Sequence, residues 1–180
     1  MLISNRAINI IGLVLLTLIL VRQEVRISQM EEKLDRIDAV IQTGEHLRYT
    51  STDLDCLTRN IYYEAGIEND QGKYAVAQVT LNRLKTGHWG TTVCKVVYAP
   101  KQFSWTMSKR LTKPNNAVWA QSEQIARLVL EGYRVPGLAR SLYYHATYIQ
   151  NPAWADPAAQ AGKIGNHVFY DRAKGSNLAI

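Results

Sequence analysis

Cysteine is scarce in this chain: two residues, Cys56 and Cys94, in 180. That is too few for a disulfide scaffold, and neither a C-x-x-C pair nor a metal-ligand spacing is present. They form either a single bridge, if the domain is exported, or two small buried side chains. The H-E-x-x-H pattern of zinc peptidases is missing, as are internal repeats and low-complexity tracts. No aromatic RNA-binding signature and no zinc-finger spacing accompanies the positive charge, which argues against a nucleic-acid partner. Long apolar runs are missing too. The longest, Ala7 to Val21, is fifteen residues interrupted by Asn9, Gly12 and Thr17, short of the usual ~20 of a membrane span.

What remains is 47% hydrophobic and 20% charged, the make-up of about one globular domain with extras. The net charge of +6 is lopsided. Residues 1–51 hold six basic and six acidic side chains, so the whole excess lies on residues 52–180. A basic domain favours polyanionic partners such as an anionic membrane surface or an anionic wall polymer.

The first third reads as an anchor and a stalk. With Met1, Leu2 and Ile3 before it the run could span a bilayer, though it is short for one; a cleaved signal peptide is the rival, but no small-x-small cleavage site follows, since Val21-Arg22-Gln23-Glu24 comes next. Residues 1–22 are therefore expected to be an uncleaved signal anchor. Its orientation is poorly encoded, with Arg6 on one side and Arg22 and Arg26 on the other. Ile27, Met30, Leu34, Ile37 and Ile41 then step by three and four between charged positions. This is a coiled-coil seam of about two heptads, predicting a stalk over 23–51 that self-associates as a homodimer; the alternative is one amphipathic helix packed on the domain. Gly44 and Tyr49-Thr50-Ser51-Thr52 read as linker.

The domain, 52–180, opens on a helix from about Asp53 to Gly66. Leu54, Leu57 and Ile61 mark its apolar face, and Glu64 continues that face. A carboxylate so placed loses water, which raises its pKa and suits it to act as a general acid near neutral pH. The plainer alternative is a partly exposed Glu near a helix end. A second helix is predicted from about Gln71 to Lys85, capped by Asn69 or Asp70 and followed by Gly87. Its centre, Ala75 to Leu81, is apolar nearly all round and should be buried. A third should run from about Pro114 to Glu131. Ser141–His145 and His167–Tyr170 look like strands, with a loop between them. The predicted class is α+β: mainly helical, with a small antiparallel sheet near the end.

The order of several short segments is specific. Tyr62-Tyr63-Glu64-Ala65 precedes Gly72 and Ala75-Val76-Ala77-Gln78-Val79-Thr80-Leu81-Asn82-Arg83. Then come Thr92 to Tyr98, Gln102-Phe103-Ser104-Trp105, Tyr144-His145, Trp154 and Ile164 to Tyr170. Over about residues 54–171 this resembles the SleB-like cell-wall hydrolase family. One departure is visible: where many relatives have Glu-Ala-Arg-Gly-Glu, this chain has Glu64-Ala65-Gly66-Ile67-Glu68.

The resemblance implies a lysozyme/lytic-transglycosylase-like domain with peptidoglycan as substrate and no metal or other cofactor. It places the catalytic glutamate on Glu64, acting on the bond between N-acetylmuramic acid and N-acetylglucosamine. It also implies substrate contacts from the polar-aromatic loop Gln102, Phe103, Ser104 and Trp105, and from Tyr144, His145, His167 and Tyr170. Tyr144 and His145 must face opposite sides of a strand, and the resemblance favours His145 for the cleft. Asn82 and Arg83 are expected to tie the buried helix down, and Glu68, Asp70 and Asp156 to be surface or capping residues. Peptidoglycan as substrate would place the domain outside the inner membrane, in the periplasm or external wall space, with a single-pass anchor and a Cys56–Cys94 bridge. Rival readings are a muramidase-type hydrolase, a zinc amidase using Glu64, His145, Asp156 and His167, and a non-catalytic wall-binding module.

Overall fold

The computed structural model describes residues 15–31, 34, 49–108, 111 and 116–176, and divides the chain into two units, 1–42 and 43–180. In the first unit residues 15–31 form helix α1. Its apolar side chains are exposed throughout, from Leu15 to Val21 and on to Val25, Ile27 and Met30. Most of the anchor, and the seam positions Ile37 and Ile41, lie outside the described residues. Among the described residues no helix is long and apolar enough to cross a membrane.

The second unit is built around α2 (Ser51–Ala65) and α3 (Asp70–Thr86). α2 starts earlier than the linker reading allowed, because Thr50 caps it. The Thr50 hydroxyl accepts from Asp53 N–H, and the Asp53 carboxylate accepts from Thr50 N–H, a reciprocal capping box. Leu57 and Ile61 are fully buried, as their spacing predicts. Gly66 closes α2 in ordinary right-handed geometry. A Cβ there would collide with the Tyr62 carbonyl, so glycine serves close approach rather than a left-handed turn.

α3 is buried on every side, from Gly72 to Arg83. Asn69 caps its start, and Gly87, at φ +68°, gives the left-handed stop. Even Lys73 is buried; its ammonium donates to the Glu68 carbonyl at 2.7 Å and to Gln121 Oε1 at 2.9 Å. A short helix, α4 (Val93–Val97), is bound to α2 by the Cys56–Cys94 disulfide and by Val93 N–H donating to Asp53. α5 (Ala117–Leu130) begins later than the Pro114 start expected, because Asn116 supplies the cap by accepting from Trp119 N–H.

The sheet is antiparallel, in the order β1 (Tyr143–Ala146), β3 (His167–Tyr170), β2 (Gln160–Ile164). β2 corrects the expectation of a continuous loop. Gln-Ala-Gly-Lys-Ile has little strand character and carries an irregularity between Gln160 and Gly162. It is a strand because it pairs with the strongly β-forming His-Val-Phe-Tyr of β3.

Candidate active site

A cleft of about 620 Å³ opens between the helical wall and the sheet wall. Glu64, one residue from the end of α2, lies in it, and it is the only carboxylate among the described residues lining it. Tyr144 on β1 donates its hydroxyl to Glu64 Oε2 at 3.1 Å. Burial pushes the Glu64 carboxyl above its ordinary value, against the opposing pull of this hydrogen bond and of the Arg83 charge. Burial and the Glu64 charge together hold the Tyr144 hydroxyl far up, so Tyr144 stays a donor.

Arg83, at the end of α3, forms the floor. It does tie the helix down, as expected, because Nε donates to the Leu142 carbonyl at 2.8 Å. Asn82 does the same toward the carbonyls of Leu138 and Ser141. Arg83 also faces the cleft, which its place in a buried helix did not reveal. It is 6% exposed and its guanidinium lies 5.3 Å from the Trp89 ring and 5.2 Å from the Phe103 ring. Nη1 has no hydrogen bond. Two aromatic faces and one carbonyl offset only part of the cost of burying a cation, and burial still holds the Arg83 pKa below its ordinary value.

The loop read as a sugar platform splits into two sets. Gln102 and Ser104 line the cleft. Phe103 and Trp105 do not; both are buried. Trp105 donates its indole N–H to Asn60 Oδ1 at 3.0 Å and stacks on Tyr63 at 4.9 Å. An indole whose N–H finds a partner gains more from burial than from solvent. Tyr63 takes the cleft position instead, one residue before the acid.

On the sheet wall, Tyr144 meets Glu64 and His145 does not bond to it. Both residues line the cleft, but His145 is buried and its ring stacks on that of Tyr170. With the proton on Nδ1 it donates to the Ala146 carbonyl and accepts from the Tyr170 hydroxyl at Nε2, 3.0 and 3.1 Å. Tyr170 therefore stands behind the wall, outside the cleft lining. His167 lines the cleft beside the Tyr144 ring, 5.1 Å away, and burial lowers its pKa. Trp154 also lines the cleft, packed near Tyr143 and His145. Its signal was its indole in an otherwise small-residue, proline-rich loop.

Glu68 is not a surface residue. It is 7% exposed, and its carboxylate accepts from both the backbone N–H and the side-chain amide of Asn166, each at 3.0 Å. Asn166 turns β2 into β3, and at Gly165, φ +56°, a Cβ would strike Glu68 Oε2. Glu68 thus fastens the sheet to the turn that follows α2. Asp70 accepts from Gln121 Nε2, and Asp156 caps the short turn at Pro157–Ala159 and contacts Arg172. Among the described residues no three His, Cys, Asp or Glu side chains are grouped to hold a metal ion.

This fold of packed helices closed by a small antiparallel sheet has solved counterparts. It matches the catalytic domain of the Bacillus cereus SleB protein with a TM-score of 0.57 and 26% identity, covering 68% of this chain and 91% of that one. The SleB catalytic domain from Bacillus anthracis shares the fold at 24% identity, with a TM-score of 0.55 and 68% and 97% of the two chains covered. The spore cortex-lytic enzyme of Oceanobacillus iheyensis is 28% identical over 125 residues, 67% of this chain and 42% of its own length. That of Bacillus cereus is 26% identical over 121 residues, 67% and 45%. The chain thus spans less than half the length of these curated relatives. The sequence profile of the Cell Wall Hydrolase family matches residues 67–170, and the chain belongs to that family. Glu64 falls three residues before the matched segment.

Proposed function

We propose that the domain cleaves the glycan strands of peptidoglycan as a lytic transglycosylase, at the bond between N-acetylmuramic acid and N-acetylglucosamine. The observation that carries this reading is the solitary carboxylic acid of the cleft, oriented by the Tyr144 hydroxyl and with its pKa raised by burial. Ordinary glycosidases need two carboxyl groups across the scissile bond. The next carboxylate in the chain, Glu68, is saturated by Asn166 and does not line the cleft.

Glu64 gives its proton to the glycosidic oxygen as the bond from the muramic acid C1 breaks, and the bonding pair leaves on that oxygen. The resulting Glu64 carboxylate is steadied by the Tyr144 hydroxyl and the Arg83 charge. It then takes the proton from the muramic acid 6-hydroxyl as O6 closes on C1. This forms the 1,6-anhydro ring and returns Glu64 to its acid form, so one group serves as acid and then base.

The same reading extends to location. The exposed apolar side chains of α1, Leu15 to Val21, and the seam residues Ile27, Met30 and Leu34 support an anchored, self-associating stalk. That would hold the domain in the periplasm or outer wall space of a single-pass inner-membrane protein, where the Cys56–Cys94 bridge is at home.

The test is to incubate the full chain, and its Glu64→Gln variant, with purified peptidoglycan and weigh the released muropeptides. Products lighter by one water than reducing muropeptides, from the unsubstituted protein alone, are expected. Hydrated reducing ends would replace this reading by hydrolysis. Products equal from both proteins would remove Glu64 from the chemistry.

A further inference from the structure

The rim of the cleft is unlike a plain sugar groove. Among the described residues of the second unit five large hydrophobic side chains are exposed: Ile67, Tyr98, Met107, Tyr148 and Ile149. Three of them, Met107, Tyr148 and Ile149, line the cleft that holds Glu64. They are 67%, 77% and 47% exposed, so neighbouring side chains do not cover them. Apolar surface gathered at one concave place marks a binding site. A tyrosine ring can lie on a sugar face. A thioether and a branched aliphatic side chain offer a sugar neither a flat face nor a hydrogen bond.

Lys101 stands on the same rim. It is the only non-glycine among the described residues with a left-handed backbone, φ +63°. Such a conformation costs about 1 kcal/mol or more in a residue of this type, and non-glycine residues so held gather at ligand clamps. The turn that holds it is fixed by Gln102 N–H donating to the Ala99 carbonyl, 3.2 Å. Its ammonium is exposed and has no ion pair or hydrogen bond among the described residues. With Arg83 on the floor, the cleft has two cations against one carboxylic acid.

We propose that this rim binds the stem peptide carried by the muramic acid, so that the enzyme selects strands bearing peptides over bare glycan. This rests on the glycosidase reading above. Stem peptides present alanine methyl groups and free carboxylates, and they leave the sugar from the lactyl oxygen, beside the bond to be cut. Met107, Tyr148 and Ile149 take the methyl groups, and Lys101 takes a carboxylate. A lipid surface has similar chemistry, but these side chains line a concavity that also holds the acid, which suits a short chain better than a bilayer.

The experiment uses glycan strands with their peptides and the same strands stripped by a muramoyl-alanine amidase. The full chain should cut peptide-bearing strands with kcat/KM about tenfold higher, a difference that one good charged contact with its apolar neighbours can supply. Lys101→Asn keeps a residue that tolerates the left-handed backbone. It should remove most of that preference, seen as a rise in KM for peptide-bearing strands larger than that for stripped strands. Separately, the Glu64→Gln variant carrying 13C-methyl methionine is titrated with free L-Ala-D-Glu-diaminopimelate-D-Ala tetrapeptide. The Met107 methyl signal should shift and saturate. Equal cutting of both strands by the unsubstituted protein, or a Met107 signal that ignores the tetrapeptide, overturns the inference. So does a shift produced by anionic phospholipid vesicles and not by the peptide. If neither strand is cut at all, the glycosidase reading fails, and the methyl titration still decides whether the rim binds the peptide.

Discussion

The two walls of the cleft are made by opposite means. The helical wall is continuous core: α3 is enclosed on all sides, α2 buries Leu57 and Ile61, and a disulfide joins α2 to α4. The sheet wall is three strands of four or five residues, joined to the helices near the site by a few polar contacts. Those contacts are Arg83 to the Leu142 carbonyl, Asn82 to Ser141, Glu68 to Asn166, and Tyr144 to Glu64. The acid sits on the wall of packed helices, and the hydroxyl that orients it, that of Tyr144, sits on the wall that is pinned. Substitutions can therefore separate what the acid supplies from what its alignment supplies.

The largest effect is expected at the acid. Glu64→Gln keeps the shape of the wall and removes the proton, so turnover of peptidoglycan should fall by about 10²–10⁴-fold, the usual worth of a general acid. Binding of glycan by the same variant, measured by co-sedimentation, should survive. Loss of both would mean that Glu64 holds the wall together rather than doing chemistry.

Removing the disulfide tests the helical wall without touching the cleft. Cys56 and Cys94 are 38 residues apart, and a Cys56→Ser/Cys94→Ser variant should lose about 2–4 kcal/mol in chemical denaturation. Activity per folded molecule should barely change, because Glu64 lies two turns beyond Cys56 on a helix packed on its other sides. A collapse of activity at full folding would mean that α4 positions the acid.

The pin on the sheet wall comes next. Glu68→Ala leaves the Asn166 N–H and amide without their charged acceptor, which should cost about 1.5–3 kcal/mol. Here activity per folded molecule should fall as well, since His167 follows Asn166 and packs on the Tyr144 ring. Unchanged turnover in this variant would show that the sheet holds its place without the pin.

The same contrast explains what the sequence made legible. The helices announced themselves by spacing, because each buries a face many residues long: Leu57 and Ile61 on α2, and nearly all of Ala75 to Leu81 on α3. Glu64 stood out because it broke that pattern. The sheet wall carried little signal. β2 reads as Gln-Ala-Gly-Lys-Ile and is a strand only because β3 is beside it. Alternation along β1 requires Tyr144 and His145 to face apart, but only packing decides that the tyrosine hydroxyl reaches the acid. The burial of Phe103 and Trp105 was hidden for the same reason, since an aromatic loop suits a groove and a core equally well. Glu68 looked like a surface or capping residue because its partner, Asn166, lies 98 positions away.

The smallest predicted effect is the sharpest test of how the two walls divide the work. Tyr144→Phe removes one hydrogen bond to Glu64 and leaves the helical wall untouched, so turnover should drop by about tenfold or less, matching roughly 1 kcal/mol for one such bond. The pH profile gives the sign. In the proposed mechanism Glu64 acts first in its protonated form, so activity should fall as pH rises through its pKa. The Tyr144 bond stabilises the carboxylate and holds that pKa down against the stronger upward push of burial. Without the hydroxyl the pKa rises further, and the alkaline limb of kcat should move to higher pH even as the maximum drops. Phenylalanine keeps the ring against His167 and Phe169, so a limb that moves reports the lost hydroxyl and not a shifted strand. A limb that stays in place would mean that burial and the floor charge of Arg83 govern the acid, and that the sheet wall contributes shape without electrostatics.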